Sequence, residues 1–169
     1  MHERGLTSAE RRLLSPGLVA ALAAAGADPV IVPRAAWLAK LTWLWRGHVP
    51  ILTRGRKIYW PGAAEDFSAR PNAMAVLQHE LQHVLDFSTG RLSALGYLLH
   101  PKNWTYRLPS PERWDWRRLG AEQRAVLAEK LWRAEQGLEE PHFRACRAVI
   151  PWAGDCDPPP ALLDHAHNI

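Results

Sequence analysis

The sequence predicts an α+β fold: one mainly helical domain with a small β-hairpin or sheet. Two long stretches, 72–88 and 120–136, carry apolar residues at helical spacing, while the short β-branched and aromatic runs between 30 and 60 are separated by turn residues. A chain of 169 residues can bury one sizeable core but not comfortably two. Residues 1–150 are therefore expected to form a single domain, followed by a tail at 151–169 in which four prolines, Pro151 and Pro158 to Pro160, oppose regular structure.

The elements follow in order. Thr7-Ser8-Ala9-Glu10 has the form of a capping box, so a short helix should begin there. Ser15-Pro16-Gly17 restarts a helix that runs through Ala25 and is stopped by Gly26. Val30-Ile31-Val32 after Asp28-Pro29 reads as a strand. Residues 49–52 and 57–60 read as a hairpin around Thr53-Arg54-Gly55-Arg56. Trp37, Trp43 and Trp45 lie between these strands and are expected in a core or an apolar rim. Asn72, after Pro71, is placed to cap a helix reaching Ser88 and ended by Gly90; Met74, Leu77, Leu81, Val84 and Leu85 mark its core face. Residues 91–99 continue as a second helical piece until Pro101, and 102–116 read as a loop. The helix at 120–136 packs through Ala121, Ala125, Ala128, Leu131 and Trp132, with Gly137 beyond it.

Composition narrows the class of function. Hydrophobic residues make up 47% of the chain, with nine tryptophans, and 22% is charged with the signs mixed, as in a folded protein. The N-terminus lacks the apolar run of a signal peptide, and residues 18–25 are too few to cross a bilayer, so a cytoplasmic chain without membrane partners is expected. Cys146 and Cys156 are too few for a disulfide framework and are read as free thiols. The net charge of +4 and pI near 9.4 would suit an acidic partner, but the basic residues occur in short groups such as Arg54, Arg56, Lys57 and Arg113, Arg117, Arg118. That dispersal argues against nucleic acid.

Chemistry concentrates in His79-Glu80-Leu81-Gln82-His83. Residues four apart on a helix share a face, so His79 and His83 can offer two imidazole nitrogens to one ion. An ion so held, with one further protein ligand, keeps a position for water, and Glu80 beside it can take the proton. Buried in an apolar helix, two unpartnered imidazoles would be costly, and a metal would satisfy both. Zn2+ is the expected cofactor. The elongated HExxHxxGxxH pattern does not continue here, because Asp86 and Thr89 stand where its glycine and third histidine belong. A carboxylate from a later helix is then the expected third ligand. Glu122 opens such a helix in Gly120-Ala121-Glu122-Gln123, and Asp86, Glu129 and His100 compete with it. Asp86 reads equally as a partner for a ligating histidine or as a solvated charge. His2, His48, His142, His165 and His167 are expected at the surface.

The order LTSAE, RGRKIYWPG, VLQHELQHVLDF, WTYR and GAEQRAV resembles the small Vgr-related proteins of bacteria. These are similar in turn to the metallopeptidase core domain found near contractile injection systems. The resemblance spans roughly residues 6–136 and implies a minimal gluzincin-like (zincin-like) fold: a small sheet whose edge could align a peptide, one helix carrying HExxH and another carrying a glutamate ligand. Carried over by position, it implies His79, His83 and Glu122 as metal ligands and Glu80 as general base. One departure is Arg124, where members often carry glutamine. The activity expected is zinc-dependent hydrolysis of a peptide or protein substrate, with Tyr106 of WTYR as oxyanion donor. The alternative is a zinc-stabilised, non-catalytic assembly module of an injection apparatus.

Overall fold

The computed structural model describes residues 2–36, 50–138 and 142–154. Trp37, Trp43, Trp45, His48, Val49, Cys156, His165, His167 and the tail beyond residue 154 lie outside the described residues. The fold is α+β and mainly helical, with one three-stranded sheet. Among the described residues no helix is long and apolar enough to cross a membrane.

Helix α1 (Ser8–Leu13) begins with the capping box that its sequence foretells: the Glu10 amide donates to Thr7 Oγ1 at 3.1 Å, and the Thr7 amide donates to Glu10 Oε2 at 2.8 Å. Glu10 also accepts two 2.8 Å bonds from the Arg4 guanidinium and one from the Phe67 amide, so the cap ties the N-terminal segment to the loop before the central helix. Helix α2 (Pro16–Ala24) has proline in its first turn and ends before Gly26, whose φ of +60° suits a residue without Cβ.

Strands β1 (Val30–Val32), β2 (Leu52–Arg54) and β3 (Lys57–Tyr59) form a sheet in the order β1-β3-β2, with β1 parallel and β2 antiparallel to β3. The hairpin turn is tighter than the expected four residues. Strand β2 continues through Arg54, and Gly55, at φ +60°, opens a two-residue turn, the position and sign a type II′ hairpin requires.

Helix α3 (Pro71–Ser88) starts two residues earlier than a cap at Asn72 would place it: Arg70 occupies the cap without a side-chain bond, and Asn72 falls inside the helix. Proline at the first helical position substitutes for a cap, because its fixed φ is helical and it has no amide to satisfy. The sheet, α2 and a later helix all pack against α3, so residues 77 to 86 are buried without interruption, including Gln78, Gln82 and Asp86. Gln78 donates to Ser15 Oγ at 2.9 Å, and Gln82 Oε1 accepts from the Trp152 indole at 2.8 Å. Thus the described beginning of the tail reaches α3, with Trp152 half-buried and Ala153 buried, while Pro151 and Gly154 are exposed.

Helix α4 (Ala94–Leu99) is shorter than the expected 91–99 because Ser93 caps it, and it buries none of its residues. Two 3-10 turns, Pro101–Trp104 and Pro111–Arg113, punctuate the following loop. Helix α5 (Ala121–Glu135) is capped by Gly120, where a Cβ would lie 2.1 Å from the Lys102 carbonyl oxygen. Helix α6 (Phe143–Val149) was not legible in the sequence; it buries Cys146 in a cluster with Leu127 and Leu131.

Ala121, Ala125 and Ala128 are fully buried where α5 crosses α3. Beside them Arg124 donates from Nε and Nη2 to Asp86 Oδ2, both at 2.8 Å, with both side chains buried. Asp86 is therefore neither a histidine's partner nor a solvated charge: its second oxygen accepts from Gln82 at 3.0 Å. Removing one member strands the other's charge in the interior. Asp86→Ala and Arg124→Ala should each destabilise the metal-free protein by about 3–5 kcal/mol, and the double variant Asp86→Leu/Arg124→Met should recover most of the loss. Urea denaturation in EDTA measures this; single variants with wild-type midpoints would contradict it.

Candidate metal centre

The spacing of four on α3 stacks His79 above His83, with ring centroids 5.1 Å apart. The two Nε2 atoms converge on one oxygen of the facing helix: Glu122 Oε2 lies 3.1 Å from His79 Nε2 and 3.4 Å from His83 Nε2. All three side chains are buried. Their donor atoms lie within 4.8 Å of one another, an arrangement that could hold a metal ion. Four ligands at about 2.0–2.1 Å from a zinc ion, at tetrahedral angles, stand about 3.3 Å apart. The two Glu122 separations fall on either side of that value, so the carboxylate stands at a co-ligand's distance from each imidazole.

The competitors are sorted by position. His100 is exposed, and Asp86 is committed to Arg124. Glu129, two turns along α5, lies 3.6 Å from the other nitrogen of His79, Nδ1, and its far oxygen takes Arg133 at 3.0 Å. That is the placement of a carboxylate that orients a ligating imidazole. His83 lacks such support: its Nδ1 is buried and has no hydrogen-bond partner among the described residues.

Two polar groups at the site escaped the sequence. The Tyr97 hydroxyl donates to Glu122 Oε1 at 2.6 Å, leaving Oε2 toward the histidines. The signal was present in α4: Leu95, Leu98 and Leu99 share one face, which puts Tyr97 on the opposite one. Thr53, on the sheet's edge strand β2, donates to Glu80 Oε2 at 2.7 Å. Nothing local marks Thr53; the pairing depends on how the hairpin packs on α3. Tyr106 sits over His79 with its ring nearly parallel, 16° between planes and 6.2 Å between centroids. Glu80, His83, Glu122, Tyr97 and Tyr106 share one cleft of about 340 Å³.

The charges of the group are mutually supporting. Burial opposes charge on His79, but the carboxylates of Glu122, Glu129 and Glu80 outweigh it and raise its pKa from 6.5 to about 9. Burial also opposes charge on Glu122, and hydrogen bonds from His79, His83 and Tyr97 overcome it, holding the carboxyl well below its ordinary range. Glu129 is lowered mainly by its contact with His79. Burial and the neighbouring Glu122 charge push the Tyr97 phenol far up, so it stays a donor.

No family model matches the chain, and neither a curated protein nor a solved structure matches it.

If Glu122 supplies the third ligand, Glu122→Ala abolishes zinc binding, whereas Tyr97→Phe and Glu129→Gln, which alter only the groups around the ligands, weaken it by about 10-fold. Competition with a chromophoric chelator gives the affinities, and wild-type affinity in Glu122→Ala would reverse the assignment. The metal-free protein carries a second signature. The folded pKa of His79 is raised, so its contribution to stability is complete below about pH 6.5 and is lost as pH climbs toward 9. Glu122, with its pKa lowered, contributes above its ordinary value of 4.5 and loses that contribution as pH falls below it. Denaturation midpoints in EDTA should therefore decline from pH 6.5 to 9; a flat profile there would contradict the His79–Glu122 coupling.

Proposed function

We propose that this chain is a zinc-dependent peptidase whose ligands are His79, His83 and Glu122 and whose general base is Glu80. The observation that carries the reading is the convergence of two imidazole Nε2 atoms on one carboxylate oxygen, at separations of 3.1 and 3.4 Å, beside a cleft lined by His83, Glu122 and Glu80. A zinc ion in this group supplies Lewis acidity toward a carbonyl and brings the pKa of water toward 7.

The protein's own residues do the rest. Glu80 takes a proton from the attacking water and returns it to the leaving amine, and the Thr53 hydroxyl fixes the rotamer from which it acts. Tyr97 and Glu129 orient two of the ligands. We assign Tyr106, on the cleft wall beside His79, to donate to the carbonyl oxygen as charge develops there. A purely structural zinc site closes all four positions with protein side chains, whereas among the described residues three donors gather here. Glu80 beside this group supports the enzyme over the assembly module, because a purely structural site needs no base. The resemblance to Vgr-related proteins is the ground for placing its protein substrates near a contractile injection system.

Purified wild-type protein should contain zinc near one per chain, and His79→Ala or His83→Ala should lose it. Glu80→Gln should keep the metal and lower cleavage of a peptide-library substrate by about 10²–10⁴-fold, the usual contribution of a positioned base. Zinc content by atomic emission and cleavage by mass spectrometry decide the matter. Unchanged cleavage by Glu80→Gln would sink the mechanism, and a wild-type chain that takes up no zinc would sink the reading whole.

A further inference from the structure

The leucines of α4 are not used by the core. Leu95, Leu98 and Leu99 stand at i, i+3 and i+4, the spacing of a helix's buried stripe, yet they are 66%, 58% and 65% exposed. With Trp104 and Tyr106 they make up the large apolar side chains that are exposed among the described residues, and all five come from the single segment 95–106. The opposite face of α4 is tied down by polar bonds: Tyr97 donates to Glu122, the Trp104 indole donates to the Tyr97 carbonyl at 2.7 Å, and Asn103 donates to the Gly96 carbonyl at 3.1 Å. The helix is thus fastened to the metal group by one side and presents leucine on the other.

Leu98 and Ala94 line the cleft that holds Glu80, His83 and Glu122, together with Ile51, Leu52 at the start of the edge strand, Phe87 and Leu92. Apart from Arg54, which is exposed, the cleft's charge belongs to Glu80, His83 and Glu122; of its hydroxyls, that of Thr53 donates to Glu80 and that of Tyr97 to Glu122, Tyr106 lies on the wall as well, and the other lining side chains are apolar. At about 340 Å³ it is at the small end of ligand pockets, room for one or two side chains. A second copy of the chain is a poor occupant: a stable interface takes about 20–30 residues a side, and the exposed apolar run is one short helix with its following turn.

Resting on the peptidase reading above, we propose that this cleft selects a bulky apolar side chain of the substrate, such as leucine or phenylalanine, next to the bond to be cut. Leu98 is its principal specificity-determining residue. Leucine would exchange water for apolar contact with Leu98, Phe87 and Leu92, whereas asparagine, of nearly the same shape, would set its amide against those apolar side chains.

The test uses the full chain loaded with zinc and three probes: acetohydroxamate, which has no side chain, and the hydroxamates of N-acetyl-leucine and N-acetyl-asparagine. Calorimetry should give the leucine compound an affinity about 10–100-fold above that of the asparagine compound. Leu98→Ser, a change at an exposed position that the fold tolerates, should erase most of that ratio while acetohydroxamate binds as before. Equal affinities for the two amino-acid hydroxamates, with acetohydroxamate bound, would overturn the subsite and leave the metal centre standing. No binding of any of the three would remove the peptidase reading and the subsite together. A dimer in sedimentation that Leu98→Ser converts to monomer would assign the leucine stripe to self-association and overturn the proposal.

Discussion

The rest of the site depends on how closely α5 lies across α3. Buried alanines at 121, 125 and 128 let the two backbones approach, and a short carboxylate on one helix can then reach two rings on the other. Larger side chains at those positions would hold the axes further apart than the about 8–10 Å usual for packed helices. The same closeness forces Asp86 and Arg124 together, away from water, so the crossing is fixed by a charge pair that works only in one arrangement. Packing and polarity here specify a single geometry rather than adding independent increments of stability.

What the sequence made legible was what neighbouring residues decide. The capping box at Thr7, the two long helices and the pairing of His79 with His83 follow from spacings of three and four. Glu122 was one of four candidates by spacing alone; the resemblance singled it out, and the fold brings it to the histidines. The features that stayed hidden join residues far apart in the chain. Thr53 meets Glu80 across 27 positions, Tyr97 meets Glu122 across 25, and Arg124 meets Asp86 across 38. Helix α6 has only seven residues and opens at His142 with φ of 73°, without a side-chain cap, so neither length nor a start signal announced it.

The two histidines are not equivalent. His79 has a carboxylate beside each nitrogen, Glu122 at 3.1 Å and Glu129 at 3.6 Å, while among the described residues His83 is held only through Nε2. A buried ring nitrogen without a partner costs about 1–3 kcal/mol. Part of the stability of α3 is therefore spent at His83, the less constrained of the two rings.

Gly120 sets a mechanical tolerance. Its lack of a Cβ lets the Lys102 carbonyl press against the start of α5, and that contact acts as a depth stop for the helix carrying Glu122 two residues later. Along a helix one residue is about 1.5 Å of travel and about 100° of rotation. Bonds to a metal accept errors of only about 0.2 Å. A slip of a single residue at the stop would carry the carboxylate out of range several times over, so the fine alignment of this centre is gauged by a residue with no functional group at all.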